Sequence, residues 1–417
     1  MKKLVINGEQ TLTGTVNISG AKNSAVALIP ASIMSDGIVE LENIPNISDI
    51  EVLDEILEYL NVRVTRKDSY IKIDPTKLEN KEIPELISKK LRASYYFMSA
   101  LLAKYKKVEM YFPGGCNIGS RPIDQTLKSF KLLGAKVIEE NNKYTITAER
   151  LIGNDIYLDM PSVGATINAM LVATKADGLT TIYNAAKEPE IVSVATFLNQ
   201  MGAKINGAGT SQIEIVGVNE LKGCFTEVIP DRIEAGTYLI AGALVGSNLT
   251  INNVIPNHLE SLINKLLDMG VSLKINKDSI TVSAISNLKS AKIKTLGYPG
   301  FPTDLQQIMT VLLTQATGLS IVEETIYENR FNNVKYLNQM GANINIEGKK
   351  IFISGPTKLK GAMVEATDLR AGACMVLAGL VAHGTTTITN VEHILRGYEN
   401  IVGKLESIGA KIELLDI

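Results

Sequence analysis

The chain has 417 residues with three cysteines, and its 42 lysines and arginines are nearly balanced by 44 aspartates and glutamates. This length favours two or three domains, and the near-neutral charge with scattered basic residues argues against a nucleic-acid partner or a membrane surface. No Cys and His spacing matches a zinc site, and every apolar run is too short to span a bilayer. We therefore expect a cytoplasmic protein without a metal or a disulfide framework.

One pattern recurs along the chain: two apolar residues and a glycine are followed by a short predicted strand. Its copies are about 70 residues apart. In chain order its copies are YLNVRV, which lacks the glycine, LLGAKV, QMGAKI, DMGVSL, QMGANI and SIGAKI. Most copies continue through a turn into a second alternating strand, but the sixth stops early. The N-terminal stretch LVINGEQTLTG resembles FISGPTKLKG of the fifth copy. We predict that this N-terminal strand completes the last repeat.

The repeats divide most simply as three plus three. We predict one three-repeat domain over 22–229 and a second over 1–21 and 230–417, the second closed by the N-terminal strand. Within each repeat a helix rich in Ala, Gly and Ser is apolar nearly all round, as in VGATINAMLVAT and LRAGACMVLAGLVA. Such helices are typical of the inside of a domain. The predicted class is α/β, with helices inside and sheets outside.

Polar residues collect at the starts of these helices: Lys22, Asn23, Arg92, Ser162, Asp231, Asp304, Asp368 and Arg370. Helix N-termini leave N–H groups free and are electropositive, so a helix cap is the favoured reading for each aspartate taken singly. A cation at that end is unfavourable unless an anion lies beside it.

A second group lies in the loops after the next strands: YFPGGCNIGSRPID with Cys116, AAKEPEIV with Glu188, IYENR with Arg330 and HILRG with Arg396. Arginine suits bidentate binding of carboxylate and phosphate, so the set indicates substrates with several anionic groups, held in a cleft between the domains. A surface salt bridge is the alternative for any single arginine. The chain has no P-loop, dinucleotide fingerprint or HExxH motif.

Ten motifs in order carry a resemblance to a known family: SGAKNS, KLRAS, PGGCNIGSRPID, SVGAT, NAAKEPEIV, PDRIEAGT, FPTD, ENRF, ATDLRAGA and RGYE. The chain resembles the UDP-N-acetylglucosamine 1-carboxyvinyltransferases of the enolpyruvyl transferase family. The resemblance implies two inside-out α/β domains of three repeats each, with the active site between them. It also implies transfer of the enolpyruvyl group of phosphoenolpyruvate to the 3′-hydroxyl of UDP-N-acetylglucosamine, with release of phosphate, as the first committed step of peptidoglycan synthesis.

The resemblance also implies residue roles. Cys116 would be the proton donor on a mobile loop, able to add to phosphoenolpyruvate and to be alkylated by fosfomycin, and Asp304 would accept the proton of the sugar hydroxyl. Lys22, Asn23, Arg121, Arg370 and Arg396 would hold phosphoenolpyruvate. The residues implied for the nucleotide sugar are Arg92, Arg121, Pro122, Ile123, Asp124, Gln125, Ser162, Val163, Gly164 and Ile326. The residues implied to orient these groups are Glu188, Asp231, Arg330 and Asp368. No metal or cofactor is implied, because lysine and arginine supply the positive charge.

Two positions depart from some members of the family, because Ser48 and Met160 stand where lysines can occur. The alternatives are a 3-phosphoshikimate 1-carboxyvinyltransferase, which shares the fold and the donor substrate, and a non-catalytic paralogue of the same fold. The cysteine loop and SGAKNS favour the nucleotide-sugar enzyme.

Overall fold

The computed structural model describes residues 2–114 and 123–416. The strands within those ranges are β1 Lys2–Asn7, β2 Leu12–Asn17, β3 Val39–Glu42, β4 Arg63–Lys67, β5 Tyr70–Asp74, β6 Lys107–Tyr111, β7 Lys136–Glu140, β8 Lys143–Thr147, β9 Asp155–Tyr157, β10 Leu179–Tyr183, β11 Lys204–Asn206, β12 Gln212–Val216, β13 Phe225–Glu227, β14 Gly246–Asn252, β15 Ser272–Ile275, β16 Ser279–Ser283, β17 Lys292–Lys294, β18 Gly318–Glu323, β19 Asn343–Glu347, β20 Lys350–Gly355, β21 Met363–Glu365, β22 Thr385–Thr389 and β23 Ile412–Asp416.

The α-helices in the same ranges are α1 Lys22–Ser32, α2 Ser48–Tyr59, α3 Glu85–Ser88, α4 Tyr96–Tyr105, α5 Asp124–Leu132, α6 Val163–Ala173, α7 Pro189–Gln200, α8 Arg232–Val245, α9 Glu260–Asp268, α10 Thr303–Thr314, α11 Asn332–Gln339, α12 Leu369–Val381, α13 Glu392–Leu395 and α14 Ile401–Ser407. Short 3₁₀ turns are formed by Pro75–Lys77, Arg92–Tyr95 and Pro256–Leu259.

The described strands form six sheets that share one strand order. In one of them β10 pairs parallel with β9 and antiparallel with β12, and β11 pairs antiparallel with the other side of β12. Five sheets have four strands, and in the three-stranded sheet a parallel bridge between Ile83 and Met110 stands where the others have their fourth strand. The sixfold repeat and the α/β class predicted from the sequence are confirmed.

Two compact units divide the described residues. One takes those up to Ser19 and those from Pro230 onward, and the other takes those from Gly20 to Ile229. In the first unit β1 pairs antiparallel with both β22 and β23, so a strand from the N-terminus lies inside a sheet built from the C-terminal repeat. The domain boundaries expected from the repeats, 22–229 against 1–21 with 230–417, stay a prediction.

Each unit is built around three buried helices, with α1, α4 and α6 in one and α8, α10 and α12 in the other. Small residues let these helices approach each other closely. A Cβ at Gly236 of α8 would lie only 2.6 Å from Cδ1 of Leu305 on α10. The sheets cover the helices with every second residue, as Ile213 and Ile215 of β12 do. This is the inside-out arrangement of helices and sheets that the sequence analysis expected.

An ion pair ties the N-terminal segment to α8 and α14 inside one unit. Lys404 Nζ lies 2.6 Å from Glu234 Oε1 and donates to Ser19 Oγ at 2.6 Å. The Ser19 N–H donates to Glu234 Oε2 at 2.9 Å. Glu234 is only 3% exposed, and its burial raises the pKa of the carboxyl from 4.5 to about 7 despite the Lys404 ammonium.

Glu234 is therefore predicted to make stability depend on pH. Because its pKa is higher in the folded protein, its contribution is fully present below about pH 4.5 and is lost as pH rises through about 7. We expect the unfolding free energy of wild type, measured in urea, to exceed that of Glu234→Gln by a margin that falls by roughly 3 kcal/mol as pH rises across that window. The exposed Glu406 on the same helix as Lys404 is the matched control. The difference in unfolding free energy between wild type and Glu406→Gln should not change with pH. The same flat result for Glu234→Gln would contradict the pH dependence assigned to Glu234.

Candidate functional site

Lys22 opens helix α1 and has an anionic partner. Its Nζ lies 2.6 Å from Oδ2 of Asp49, which is 2% exposed and belongs to α2. A cation at the electropositive start of a helix requires such a counter-charge. Asp49 therefore makes it possible for Lys22, with Asn23 beside it, to remain at this helix start.

Asp304 lies between two buried guanidinium groups. Its Oδ1 accepts a hydrogen bond from an Arg330 Nη at 2.7 Å, and its Oδ2 accepts one from an Arg370 Nη at 3.2 Å. Both arginines are 3% exposed, whereas about a quarter of the Asp304 side chain, 26%, is accessible. Desolvation would raise the pKa of Asp304, but Arg330 and Arg370 outweigh it and hold this pKa well below its usual range. The group is a carboxylate at neutral pH.

The alternative reading of the aspartates as helix caps holds for two of the three. Asp231 caps α8 by accepting from the N–H groups of Ile233 and Glu234. Asp368 caps α12 by accepting from the N–H groups of Arg370 and Ala371. Asp304 makes no capping bond, because α10 already begins at Thr303. A surface salt bridge is equally ruled out for Arg330 and Arg370, since both are buried.

Tyr398 is a partner of this cluster that the sequence analysis did not assign. The guanidinium carbon of Arg370 lies 5.4 Å from the centre of the Tyr398 ring. The Tyr398 hydroxyl shares a 2.8 Å hydrogen bond with Thr237 Oγ1 of α8. Tyr398 belongs to the RGYE motif, so its place two residues after Arg396 was the available signal. Asp49 gave no comparable signal, because its pairing with Lys22 arises only from the packing of α2 on α1.

In the other unit Arg92 is brought to the start of α6 through Tyr95. The Arg92 guanidinium carbon lies 5.9 Å from the Tyr95 ring centre, and the Tyr95 hydroxyl packs on Gly164 so closely that a Cβ there would lie 1.7 Å from it. Ser162 caps α6 by accepting from the Ala165 N–H at 3.3 Å. Arg92 and the segment from Ser162 through Val163 to Gly164, all predicted to bind the nucleotide sugar, are therefore close together.

The predicted nucleotide-sugar segment continues at the start of α5. Ile123 precedes this helix, Asp124 opens it, and the buried Gln125 accepts from the Met160 N–H at 3.3 Å. Cys116, Arg121 and Pro122 lie outside the described residues, as does the loop mobility predicted for this stretch.

Three further predicted residues lie at element ends. Glu188 is the N-cap residue of α7, Arg396 directly follows α13, and Ile326 is 42% exposed in the loop after β18. The structure brings Asp304, Arg330 and Arg370 into direct contact.

The two described cysteines are poor nucleophiles. Cys374 is fully buried in α12, and burial raises the pKa of its thiol. Cys224 is half-buried just before β13, where burial likewise raises its pKa. Within 2–114 and 123–416, no group of three or more His, Cys, Asp and Glu side chains is arranged to hold a metal ion. None of the helices in those ranges is both long and apolar enough to cross a bilayer.

Comparisons with known proteins identify the family. A family profile described as EPSP synthase (3-phosphoshikimate 1-carboxyvinyltransferase) matches residues 6–405. UDP-N-acetylglucosamine 1-carboxyvinyltransferase 2 of Bacillus subtilis (strain 168) is 54% identical over 99% of this chain and 96% of its own length. UDP-N-acetylglucosamine 1-carboxyvinyltransferase of Clostridium botulinum (strain ATCC 19397 / Type A) is 54% identical over 99% of both chains.

Solved structures agree with this result. The enolpyruvyl transferase NikO from Streptomyces tendae has a TM-score of 0.90 at 26% identity and covers 99% of this chain and 98% of its own. EPSP synthase from Acinetobacter baumannii has a TM-score of 0.79 at 18% identity over 100% of both chains, a likeness of fold alone. The chain belongs to the enolpyruvyl transferase family.

The contact between Tyr95 and Gly164, which lies in the predicted nucleotide-sugar region, can be tested by mutation. Gly164→Ala should lower the unfolding free energy by about 1–3 kcal/mol, because the new methyl group overlaps the Tyr95 hydroxyl. Adding Tyr95→Phe removes that oxygen and should restore part of the loss. Denaturant unfolding of both single variants and the double variant gives the coupling. If the losses of unfolding free energy in the two single variants simply add in the double variant, the Tyr95 hydroxyl does not contact the residue at position 164.

Proposed function

We propose that the protein transfers the enolpyruvyl group of phosphoenolpyruvate to the 3′-hydroxyl of UDP-N-acetylglucosamine, releasing phosphate, in the first committed step of peptidoglycan synthesis. The observation that carries this proposal is identity above 50% over nearly the full chain with proteins named UDP-N-acetylglucosamine 1-carboxyvinyltransferase. The chain is a transferase. The 3-phosphoshikimate enzyme, represented by a structure at 18% identity, is the less favoured reading.

Charge supports the assignment of the donor substrate. Phosphoenolpyruvate carries a phosphate and a carboxylate, and Lys22, Arg121, Arg370 and Arg396 are proposed to bind them, with Asn23 beside Lys22. The buried guanidinium groups of Arg330 and Arg370 both reach Asp304, so this cluster gathers the kind of donor that binds phosphate and carboxylate. Lysine and arginine donors provide the charge stabilisation, so the proposal includes no metal or cofactor.

The nucleotide sugar is proposed to contact Arg92, Ile123 to Gln125, Ser162 to Gly164 and Ile326, together with Arg121 and Pro122. The contact of Arg92 with Tyr95, and of Tyr95 with Gly164, supports treating two of these segments as one region. The capped start of α6 leaves backbone N–H groups that suit a phosphate oxygen. Glu188, Asp231, Arg330 and Asp368 are proposed to orient the groups that bind the substrates.

The proposed reaction has two steps. In the first, the sugar oxygen bonds to C2 of phosphoenolpyruvate as its proton passes to Asp304, and C3 takes a proton from Cys116, which gives a tetrahedral adduct. In the second, C3 returns a proton to the Cys116 thiolate as the bond between C2 and the phosphate oxygen breaks, which restores the double bond, and Asp304 gives its proton to the departing phosphate. Arg330 and Arg370 keep Asp304 ionised and able to accept the proton. An anion bound at Arg370 would offset part of its charge and raise the proton affinity of Asp304.

The direct test of the proposed function is phosphate release from phosphoenolpyruvate with either of two acceptors. UDP-N-acetylglucosamine should support turnover and shikimate 3-phosphate should not. Turnover with shikimate 3-phosphate alone would identify the other branch of the family, and none with either acceptor would identify a non-catalytic paralogue. A cytoplasmic location stays a prediction.

Asp304→Asn should lower kcat by roughly two orders of magnitude or more, because the amide cannot accept the hydroxyl proton. Binding of UDP-N-acetylglucosamine, measured by calorimetry, should change little because the shape is kept. Asp268→Asn is the matched control, since that exposed residue at the end of α9 touches none of the cluster. Turnover of Asp304→Asn close to that of the control would remove Asp304 from the role of base.

Cys116 is predicted to be the residue that fosfomycin alkylates. Labelling should be faster with UDP-N-acetylglucosamine present, because substrate binding should bring cations to the thiol and exclude water. Cys224 and Cys374, whose pKa values are raised, are internal controls that should stay unlabelled. Cys116→Ala should lose labelling and most turnover, whereas Cys116→Asp should escape labelling and keep activity as a proton donor. Peptide mass mapping that places the label on another cysteine would contradict the assignment.

A further inference from the structure

A buried carboxylate lies beside the Asp304 cluster and has no role in the reaction described so far. Glu324 follows β18 and is 1% exposed. Its two oxygens accept four hydrogen bonds. The donors are Thr295 Oγ1 at 2.9 Å, Thr303 Oγ1 at 2.8 Å, and the N–H groups of Ile326 at 2.8 Å and Tyr327 at 3.2 Å. This number of donors makes the burial of a charge tolerable.

The two oxygens of Glu324 hold different parts of the unit. Oε1 accepts from Thr295 and from the N–H groups of Ile326 and Tyr327, so it fixes the loop after β18. Oε2 accepts from Thr303, the residue before Asp304 at the start of α10. One carboxylate therefore links the loop that contains Ile326 with the helix start that contains Asp304.

The Oε2 side continues to Asp304 through Arg330. Thr303 Oγ1 donates to Glu324 and accepts from an Arg330 Nη at 2.9 Å. The other Arg330 Nη donates to Asp304 Oδ1 at 2.7 Å. The Tyr327 ring, held by its N–H on Glu324, lies 5.1 Å from the Arg330 guanidinium carbon. Arg330 is thus fixed from two directions that both depend on Glu324.

A purely structural role would not require this arrangement. A buried, fully hydrogen-bonded charge is weak evidence for added stability, because apolar residues of similar volume often do as well. What Glu324 provides and an apolar residue would not is one fixed geometry shared by two segments. Small displacements of a catalytic group lower turnover even when the fold is intact.

We infer that Glu324 is a positioning residue for enolpyruvyl transfer: its Oε2 sets Asp304 through Thr303 and Arg330, and its Oε1 sets the Ile326 loop. This inference rests on the proposed function, in which Asp304 accepts the hydroxyl proton and Ile326 contacts the nucleotide sugar. The division between the two oxygens predicts that turnover and nucleotide-sugar affinity are separable by mutation.

Two threonine variants test the two oxygens of Glu324 separately: Thr303→Val affects the contact of Oε2, and Thr295→Val affects a contact of Oε1. Thr303→Val removes the link to Arg330 and should lower kcat about tenfold, with KM for UDP-N-acetylglucosamine within about twofold. Thr303→Ser keeps the hydroxyl and should restore kcat. Thr295→Val removes a support of the loop and should raise KM about fivefold with kcat nearly unchanged. Glu324→Gln should lower kcat as Thr303→Val does, with KM little changed, since its amide oxygen can accept the three hydrogen bonds of Oε1 while its NH₂ group cannot accept the Thr303 hydrogen bond.

Thr386→Val is the control for removing a buried hydroxyl, because Thr386 Oγ1 has no hydrogen-bond partner among the described residues of its unit. Kinetics unchanged in Thr303→Val, or kcat and KM altered by one common factor in both threonine variants, would overturn the inference. The Thr variants also decide the question if Glu324→Gln does not fold. If Asp304→Asn loses turnover and Thr303→Val keeps it, the positioning role of Glu324 is rejected and the role of Asp304 as the base is retained. Turnover kept in Asp304→Asn would reject the proposed base, and with it the route from Glu324 to Asp304.

Discussion

The structure depends on the balance of charge at the starts of buried helices. Helices inside each unit direct their electropositive ends towards polar residues, and every cation there needs an anion in contact. Lys22 has Asp49, and Arg330 and Arg370 share Asp304. Glu324 is linked to Arg330 through Thr303, and Asp231 acts electrostatically on Arg370, so further carboxylates surround this cluster.

The pairing with Arg330 and Arg370 also distinguishes Asp304 from the aspartates at equivalent helix starts. Asp231 and Asp368 satisfy backbone N–H groups and thereby stabilise α8 and α12. Asp304 is the second residue of α10, two positions beyond the N-cap position that Asp231 and Asp368 occupy in their helices, and it therefore faces side chains instead of orphan N–H groups. The repeat thus supplies the same residue type three times, and a shift of two positions distinguishes Asp304 from the two structural caps.

Much of the fold could be predicted from the sequence because its signals are local and repeated. The glycine-strand pattern located the six units, and the apolar Ala-rich segments located the buried helices. The site was predictable mainly where motifs name single residues, such as FPTD and ATDLRAGA. Partners supplied by distant segments were not predictable. Asp49 and Glu324 have no distinctive spacing, and sequence alone does not tell whether Asp304 caps a helix or pairs with arginines.

The position of β1 has a consequence for how the chain folds during synthesis. Lys2 pairs with Asp416 and Ile6 with Ile412, so one sheet requires two strands that are far apart in the chain. Closing so long a segment is slow, because the entropy of the intervening chain must be overcome first. The unit from Gly20 to Ile229 contains its own partners and can collapse on the ribosome. Until β22 and β23 emerge, β1 remains an unpaired strand edge that a chaperone would be expected to cover.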